Sequence, residues 1–334
     1  MNEIYLIAEI GQAHEGSLGI AHSYIDALAT TGVNAVKFQI HIAEAESSMY
    51  EPFRSEFSYE DQTRMDYWKR TQFTEAQWAG LKKHCHDRKL DFIASPFSVS
   101  AVDLLGNIGT EIYKTGSGEM DNFLMLDRIA DSGKKIILSS GMSSISELDN
   151  TINYLKNRNC YLSLLQCTSS YPAEPQQWGL NVMELFKERY KIPVGFSDHS
   201  GDIYACLAAA SLGAQLLEFH VVFDQKMFGP DASSSIPVRK VKNLVQGIRK
   251  IEIALNNPVD KTSNNKFESL KTIFGKSLAV NRNLQEGHIL TIDDLESKKP
   301  AGYGIPAKDY KEIIEKRLNK DLAQWDFITA NDLV

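Results

Sequence analysis

A parallel α/β barrel of eight strands, followed by a small second domain, is the architecture this sequence predicts, and three observations predict it. Short β-rich apolar runs alternate with longer helical patterns over about 250 residues, as in a (β/α)8 closure. Eight such runs occur, and the composition shifts abruptly near residue 257. The 334 residues, 43% of them hydrophobic, supply apolar material for one large barrel core plus a small extra domain.

The strand runs lie at 4–8, 35–39, 91–94, 111–114, 135–138, 161–165, 193–196 and 216–221. Helical patterns at 18–31, 74–88, 99–106, 123–132, 145–158 and 182–190, and the segment IYACLAAASLG ended by Gly213, fall between them. One interval departs from this alternation. Residues 42–72 form a long charged and aromatic insert with Met49, Tyr50, Phe53, Phe57, Tyr59, Tyr67 and Trp68. A long loop at the active-site face is a lid or an oligomer contact, and an interface is the preferred reading of these aromatics. After the eighth run a closing helix starts near Val238. The stretch NNPVDKTSNNKFES is polar, contains Pro258 and has no periodicity, so 257–269 reads as a linker between a barrel at 1–256 and a tail at 270–334. In the tail, LQEGHILTIDDL from Leu284 aligns without gaps on LAQWDFITANDLV from Leu322, which predicts one domain built of two related halves. KKPAGYGIPA between them reads as a shaped loop, in which Lys298 and Lys299 could serve an anionic or acylated ligand.

A net charge of −7 argues against a nucleic-acid footprint or a basic membrane-binding surface and leaves room for a local basic pocket. No segment approaches 18 uninterrupted apolar residues and no basic leader precedes the first strand, so neither export nor membrane insertion is expected. Cys85, Cys160, Cys167 and Cys206 show no C-x-x-C spacing and read as reduced thiols of a cytoplasmic protein, with Cys167 singled out for its place at a strand end.

In such barrels the chemistry gathers where strands end at their carboxyl edge. Every strand here ends in polar residues: Glu9; Lys37 and Gln39; Ser95; Lys114 and Ser117; Ser139 and Ser140; Gln166, Cys167 and Thr168; Ser197 and His199; Glu218 and His220. His199 and His220 finish neighbouring strands, with Asp198 and Asp231 nearby. Two imidazoles suit a divalent metal that keeps open positions for water and a substrate oxygen. Lys37 and Lys114, the latter leading into the small residues of TGSGE, suit a phosphate or carboxylate. Neither a P-loop nor a G-x-G-x-x-G follows a strand, which argues against a nucleotide. Glu15 either reaches the pocket or opens the helix starting near Leu18. His14, His84 and His86 read as structural or exposed.

With these residues in place, the chain resembles the sialic acid synthase family, which includes N-acetylneuraminate, legionaminate and pseudaminate synthases. The motifs AEIGQAHEGS, VKFQIHIAE, IASPFS, YKTGSGE, ILSSGM, LLQCTSSYP, FSDHS, LEFHVVF and GPD carry the resemblance in order over nearly the whole length, and the tail resembles an antifreeze-like (SAF) domain. The resemblance implies condensation of phosphoenolpyruvate with the open-chain aldehyde of an N-acylated hexosamine, releasing phosphate and giving a nine-carbon 2-keto acid. It implies that His199 and His220 hold a divalent metal, manganese in the first place and magnesium or cobalt as alternatives. Lys37, Ser95, Lys114, Ser117 and Ser197 are then expected to receive phosphoenolpyruvate, with Ser139 beside them. Glu119 is expected to act as base, and Glu15, Gln39, Tyr171 and Asp231 to face the sugar. Ser169 stands where neuraminate synthases often carry asparagine, and Lys299 where they carry an arginine that reaches the acyl group across a domain-swapped homodimer. These departures leave the acceptor open between N-acetylmannosamine, a diacetamido-trideoxyhexose, mannose and a sugar 6-phosphate. A non-catalytic carbohydrate-binding protein is the alternative from another class, and a two-metal barrel hydrolase would need more ligands than the sequence offers.

Overall fold

Successive side chains of a β-strand point to opposite faces, and in this barrel that alternation builds the site. A computed structural model, describing residues 3–54, 59–262 and 265–334, contains strands β1 (Tyr5–Gly11), β2 (Ala35–Ile40), β3 (Asp91–Pro96), β4 (Ile112–Lys114), β5 (Lys135–Ser139), β6 (Tyr161–Cys167), β7 (Val194–Asp198) and β8 (Leu216–Val222). Each pairs in parallel with the next, and β1 pairs in parallel with β8, which closes the barrel.

Inward positions form two layers. The lower is apolar, with Ile7, Ala35, Ile93, Ile137 and Leu165 packed together against Ile112 and Leu216. Two residues further along each strand the inward positions are Glu9, Lys37, Ser95, Lys114, Ser139, Cys167 and Glu218, which line a cavity at the carboxyl edge. Outward positions such as Leu6, Ala8, Ile10, Val36 and Phe38 join the core between barrel and helices. On β7 the lower inward position is Gly195, where an added Cβ would overlap the Leu216 carbonyl and the Leu165 side chain. Gly195→Ala is therefore expected to destabilise the barrel by at least the ~1–3 kcal/mol of an overpacked core, because the obstacle is backbone. Urea unfolding measures this, and an unchanged midpoint would contradict it.

Helices α1 (Leu18–Leu28), α2 (Ala43–Glu46), α3 (Arg64–Thr71), α4 (Glu75–Asp87), α5 (Val99–Asn107), α6 (Phe123–Asp131), α7 (Ile145–Asn157), α8 (Val182–Tyr190), α9 (Tyr204–Ser211) and α10 (Val238–Asn256) follow the expected order. Their starts are set locally. Ser17 caps α1, and Thr63, Thr74 and Ser144 form reciprocal capping boxes with Asp66, Gln77 and Glu147.

The insert after β2 corrects the loop reading. It contains α2 and α3, and Tyr67 and Trp68 are buried with Ala43 in a small core of the chain's own, packed by Phe53 and Met65. Those two aromatics are thus consumed by internal packing, whereas Met49, Tyr50 and Tyr59 are exposed. Phe57 lies outside the described residues.

The chain divides into compact units at 1–257 and 258–334. Part of the segment read as linker is helical, with α11 at Glu268–Phe274. The second unit pairs β9 (Ser277–Val280) antiparallel with β10 (Leu295–Lys298), and its halves repeat in detail. Leu284 and Leu322 bridge one another. Thr291 and Thr329 each cap a short turn by donating from N–H and Oγ1 to Asp294 and Asp332 respectively. Asn281 and Asn319 each donate to a backbone carbonyl of that turn at 2.8 Å, so the repeat starts earlier than Leu284. Lys298, read as a ligand-facing residue, donates instead to the Trp325 carbonyl at 2.7 Å.

Burial alone would raise the Asp294 and Asp332 carboxyls. Bonds from His288 and Thr291 in one half, and from Lys320 and Thr329 in the other, outweigh it and hold both below the ordinary carboxylate range. A depressed folded-state value gives stability that is complete above the unfolded value of about 3.9 and is lost as pH falls toward the folded one. Amide protection factors of the second unit are therefore expected to fall below about pH 4, and Asp294→Asn to lower them already at neutral pH. Protection that stays flat from pH 6 to 3 would contradict this account.

Candidate active site

The cavity at the carboxyl edge has a volume of about 480 Å³ and a charged floor. Strand register places Glu9 level with Lys37 and with His220, and Ser197 level with Glu218. Lys37 Nζ lies 2.9 Å from Glu9 Oε2 and 3.8 Å from Glu218 Oε1, and Lys114 Nζ lies 3.9 Å from the same Glu218 oxygen. Lys37 also donates to Ser95 Oγ at 3.2 Å, and Lys114 donates to Ser139 Oγ and to the Thr115 carbonyl. Ser197 donates to Glu218 at 3.1 Å, and Gln39 donates to Glu9 at 2.8 Å.

All four charged groups are buried, so desolvation decides their balance. Burial drives the Glu9 carboxyl up toward its neutral form against the pull of Lys37. Burial also opposes charge on Glu218, but Lys114 and Lys37 prevail and hold it down. Lys37 stays above its ordinary value because Glu218 and Glu9 outweigh its burial, while for Lys114 burial prevails and the ammonium is pushed down. Two lysines thus share Glu218, while burial opposes charge on Glu9, a balance that suits a bound anion.

Gly141 follows β5 where an added Cβ would overlap Ser117 Oγ and Ser169 Oγ. Both hydroxyls therefore reach a hollow that only glycine leaves open. Glu119, in a short turn after β4, accepts from Asn122 at 2.7 Å, yet burial keeps its carboxyl above the usual range.

The two histidines stand together at the rim, with ring centres 5.2 Å apart. His199 Nδ1 lies 2.8 Å from the Thr168 carbonyl. A carbonyl only accepts, so Nδ1 carries a hydrogen, and in the neutral ring the lone pair is on Nε2. The Tyr171 ring stacks on His199 at 4.2 Å. Cys167 Sγ sits 3.9 Å from His199 Nδ1 and 3.7 Å from Ser117 Oγ. Burial would raise this thiol, but His199 and Lys114 outweigh it and draw it down. Burial would likewise lower His199, and its Cys167 and Thr168 neighbours raise it to about 9. His220 is driven down to about 3 by burial and is neutral. Asp231 Oδ2 lies 3.9 Å from His220 Nδ1, and Arg54, exposed and stacked on Tyr171 at 4.0 Å, donates to Asp231 Oδ1 at 2.6 Å.

Two neighbouring imidazoles with ring centres 5.2 Å apart are a donor set of the kind that suits a divalent ion. No group of three or more His, Cys, Asp or Glu side chains suited to a metal occurs among the described residues, so an ion held here keeps several open positions.

Of the residues expected from the sequence, Lys37, Gln39, Ser95, Lys114, Ser117, Glu119, Ser139, Ser169, Tyr171, Ser197, His199, His220 and Asp231 all line this cavity. Glu15 does not. It is held outside by Arg70, 3.0 Å from Oε2, and by Tyr67, 3.2 Å from Oε1, and burial ahead of those partners sets its carboxyl at about 7. Nor does it cap α1, a role taken by Ser17. Lys299 belongs to the second unit, where its ammonium lies 5.1 Å from the centre of the Phe274 ring. His14 is buried and stacked on Phe73, and His84 pairs with Asp26, both structural roles. The sequence reading missed Gln12, His41, Glu46, Glu51, Arg54, Arg64 and Trp68 as cavity residues. Most come from the insert, where the sole signal was an unusual density of charge beside aromatic residues.

Comparison with known proteins agrees with this layout. The profile of the NeuB family matches residues 24–260 and that of the SAF domain matches 275–334. The chain is 32% identical over 336 residues to N,N'-diacetyllegionaminic acid synthase of Campylobacter jejuni, covering 98% of this chain and 99% of that one. It is 30% identical to human N-acetylneuraminate-9-phosphate synthase, covering 97% of this chain and 91% of that one. Among solved structures it resembles an N-acetylneuraminic acid synthetase of Leptospira borgpetersenii, with a TM-score of 0.72 and 31% identity over 81% of this chain and 91% of that one.

Proposed function

The chain belongs to the NeuB family and carries a SAF domain, and from that premise we propose that it condenses phosphoenolpyruvate with the open-chain aldehyde of an N-acylated hexosamine. The C3 carbon of phosphoenolpyruvate bonds to the aldehyde carbon, whose oxygen takes up a proton. Water adds to C2, the C2–O bond to phosphate breaks, and C2 becomes the ketone of a nine-carbon 2-keto acid.

Two buried lysines sharing Glu218 beneath a pair of imidazoles carry this reading. Lys37 and Lys114 hold the carboxylate and phosphate, with the hydroxyls of Ser95, Ser117, Ser139 and Ser197 beside them. Glu119, which burial keeps above the usual carboxylate range, is suited to accept a proton, for which water adding at C2 is the natural donor. Asp231, anchored by Arg54, and Tyr171 orient the sugar. A divalent ion on His199 and His220, manganese in the first place, supplies Lewis acidity toward the aldehyde oxygen when bound.

The same reading includes a homodimer in which Lys299 of one copy serves the acyl group bound by the other, and a cytoplasmic setting that suits four unpaired thiols. Among the described residues no helix is long and apolar enough to cross a membrane. The test is phosphate release from phosphoenolpyruvate with manganese, screened against N-acetylmannosamine, diacetamido-trideoxyhexoses, mannose and the 6-phosphates of mannose and N-acetylmannosamine. Release with one of these sugars supports the proposal and identifies the acceptor. Calorimetric sugar binding with no phosphoenolpyruvate binding would replace it by a carbohydrate-binding role.

A further inference from the structure

One wall of the cavity, built by the insert after β2, has hydrogen-bonding capacity that the chain itself leaves unused. The His41 ring is clamped between Trp68, at 3.6 Å and 14°, and Phe97, at 4.5 Å and 15°. Its two nitrogens face Glu46 Oε1 at 2.7 Å and Gln39 Oε1 at 3.2 Å. Buried and neutral, His41 can donate to only one of these oxygens. Burial pushes Glu46 up to about 8, so the carboxyl carries the proton that bonds His41 and its second oxygen is left as an acceptor. That oxygen is buried and has no hydrogen-bond partner among the described residues. The Glu46 side chain is only 9% exposed and lines the cavity.

Arg64 faces the same cavity and lies on Trp68 at 4.2 Å. Its Nε is 3.4 Å from Glu51 Oε1, yet neither Nε nor Nη1 has a hydrogen-bond partner among the described residues. The wall therefore offers one acceptor and two guanidinium donors without hydrogen-bond partners, beside the half-buried ring of Phe97. A carboxylate or phosphate finds Glu46 and Glu51 beside the donors and gives Glu46 no hydrogen. A hydroxyl satisfies donor and acceptor but leaves the ring uncovered. An acylamino group matches all three features, with an N–H, a C=O and an apolar end.

The geometry points to Glu46 and Arg64 as the pair that reads an acylamino group of the acceptor sugar, on a carbon away from the bond-forming aldehyde. Glu46 Oε2 accepts from the amide N–H, Arg64 donates to the acyl oxygen, and the acyl methyl lies against Phe97. This assignment rests on the condensation proposed above and names the substituent that selects its acceptor.

The test compares two acceptors that differ at one carbon away from the aldehyde, a diacetamido-trideoxyhexose and the same sugar with a hydroxyl in place of its second acetamido group. Wild type is expected to prefer the diacetamido sugar. Glu46→Leu and Arg64→Lys are each expected to lower kcat/KM for that sugar about thirtyfold, mostly through KM, as removal of a buried hydrogen bond does. With the hydroxyl sugar, which uses less of this wall, each variant should lose several-fold less than with the diacetamido sugar, and the turnover that remains shows that it is folded. Glu46→Gln, which can donate to His41 and still present an oxygen, should behave as wild type. Equal losses with both sugars, or no loss in Glu46→Leu, would overturn the assignment while leaving the condensation standing. Turnover of the hydroxyl sugar alone would do the same. Phosphate release with neither sugar nor with any other aldose would overturn the condensation and this assignment together.

Discussion

Replacing Lys37 by methionine is expected to lower kcat/KM for phosphoenolpyruvate by about 10²–10³, the range for loss of one preorganised donor to developing charge. Lys37 is buried at the cavity floor, where no water can take over its role. It donates one N–H to Ser95 and lies 2.9 Å from Glu9 Oε2 as an ion pair, which leaves donor capacity for a bound anion. Lys114 cannot compensate. It is engaged with Ser139 and the Thr115 carbonyl, and burial already pushes its ammonium down. The variant should nevertheless fold. Removing one partner of a buried ion pair costs about 3–5 kcal/mol when the other is stranded as a charge. Here burial already pushes Glu9 toward the neutral acid, and Glu218 keeps Lys114, so the cost should fall below that range. Steady-state phosphate release and a urea melt on the same sample separate the two effects. Lys135→Met, at the opposite end of β5, is the control expected to leave turnover unchanged. A folded Lys37→Met protein with wild-type kcat/KM would remove the lysine pair from the anion site.

His220→Ala is the second large effect, with turnover expected to fall by about 10³ or more, consistent with loss of several kcal/mol of Lewis-acid stabilisation. The imidazole is buried, neutral and 5.2 Å from its partner ring, so under the proposed metal role its loss would leave one ligand in place of two. Manganese binding by calorimetry should weaken beyond detection, while the unfolding midpoint changes little because the deleted ring lines the cavity and is not part of the packed apolar core. Chelation should abolish wild-type turnover and added manganese restore it; His220→Ala should not recover. A metal-free wild-type protein, folded and fully active, would end the metal assignment.

Whether a feature of this molecule is legible in its sequence depends on how local its cause is. The eight strands are legible because a buried parallel strand is a continuous apolar run. Strand parity then puts Lys37 two residues above Ala35, and Ser139 two above Ile137, on the inward face. The tail repeat is legible because Thr291 with Asp294, and Thr329 with Asp332, each build a turn within four residues. The insert is not. Its helices are short, and Tyr67 and Trp68 look like surface aromatics until the core they share with Ala43 exists. Glu15 is equally opaque, since the residue that turns it away from the pocket, Arg70, lies 55 positions along the chain.

The sequence by itself determined the barrel, the two-unit division and the ring of polar strand ends, because hydrophobic periodicity and turn chemistry act over a few residues. Only the tertiary structure decided how those ends are used. Closure of β8 onto β1 set Glu9 level with His220, and burial made Glu218 the carboxylate shared by two lysines. It also brought Glu46 and Arg64 to one wall, where Glu46 Oε2 and Arg64 Nε and Nη1 have no hydrogen-bond partner among the described residues. Charge state and unmet hydrogen bonds depend on desolvation and on partners far apart in the chain, and neither exists until the chain has folded.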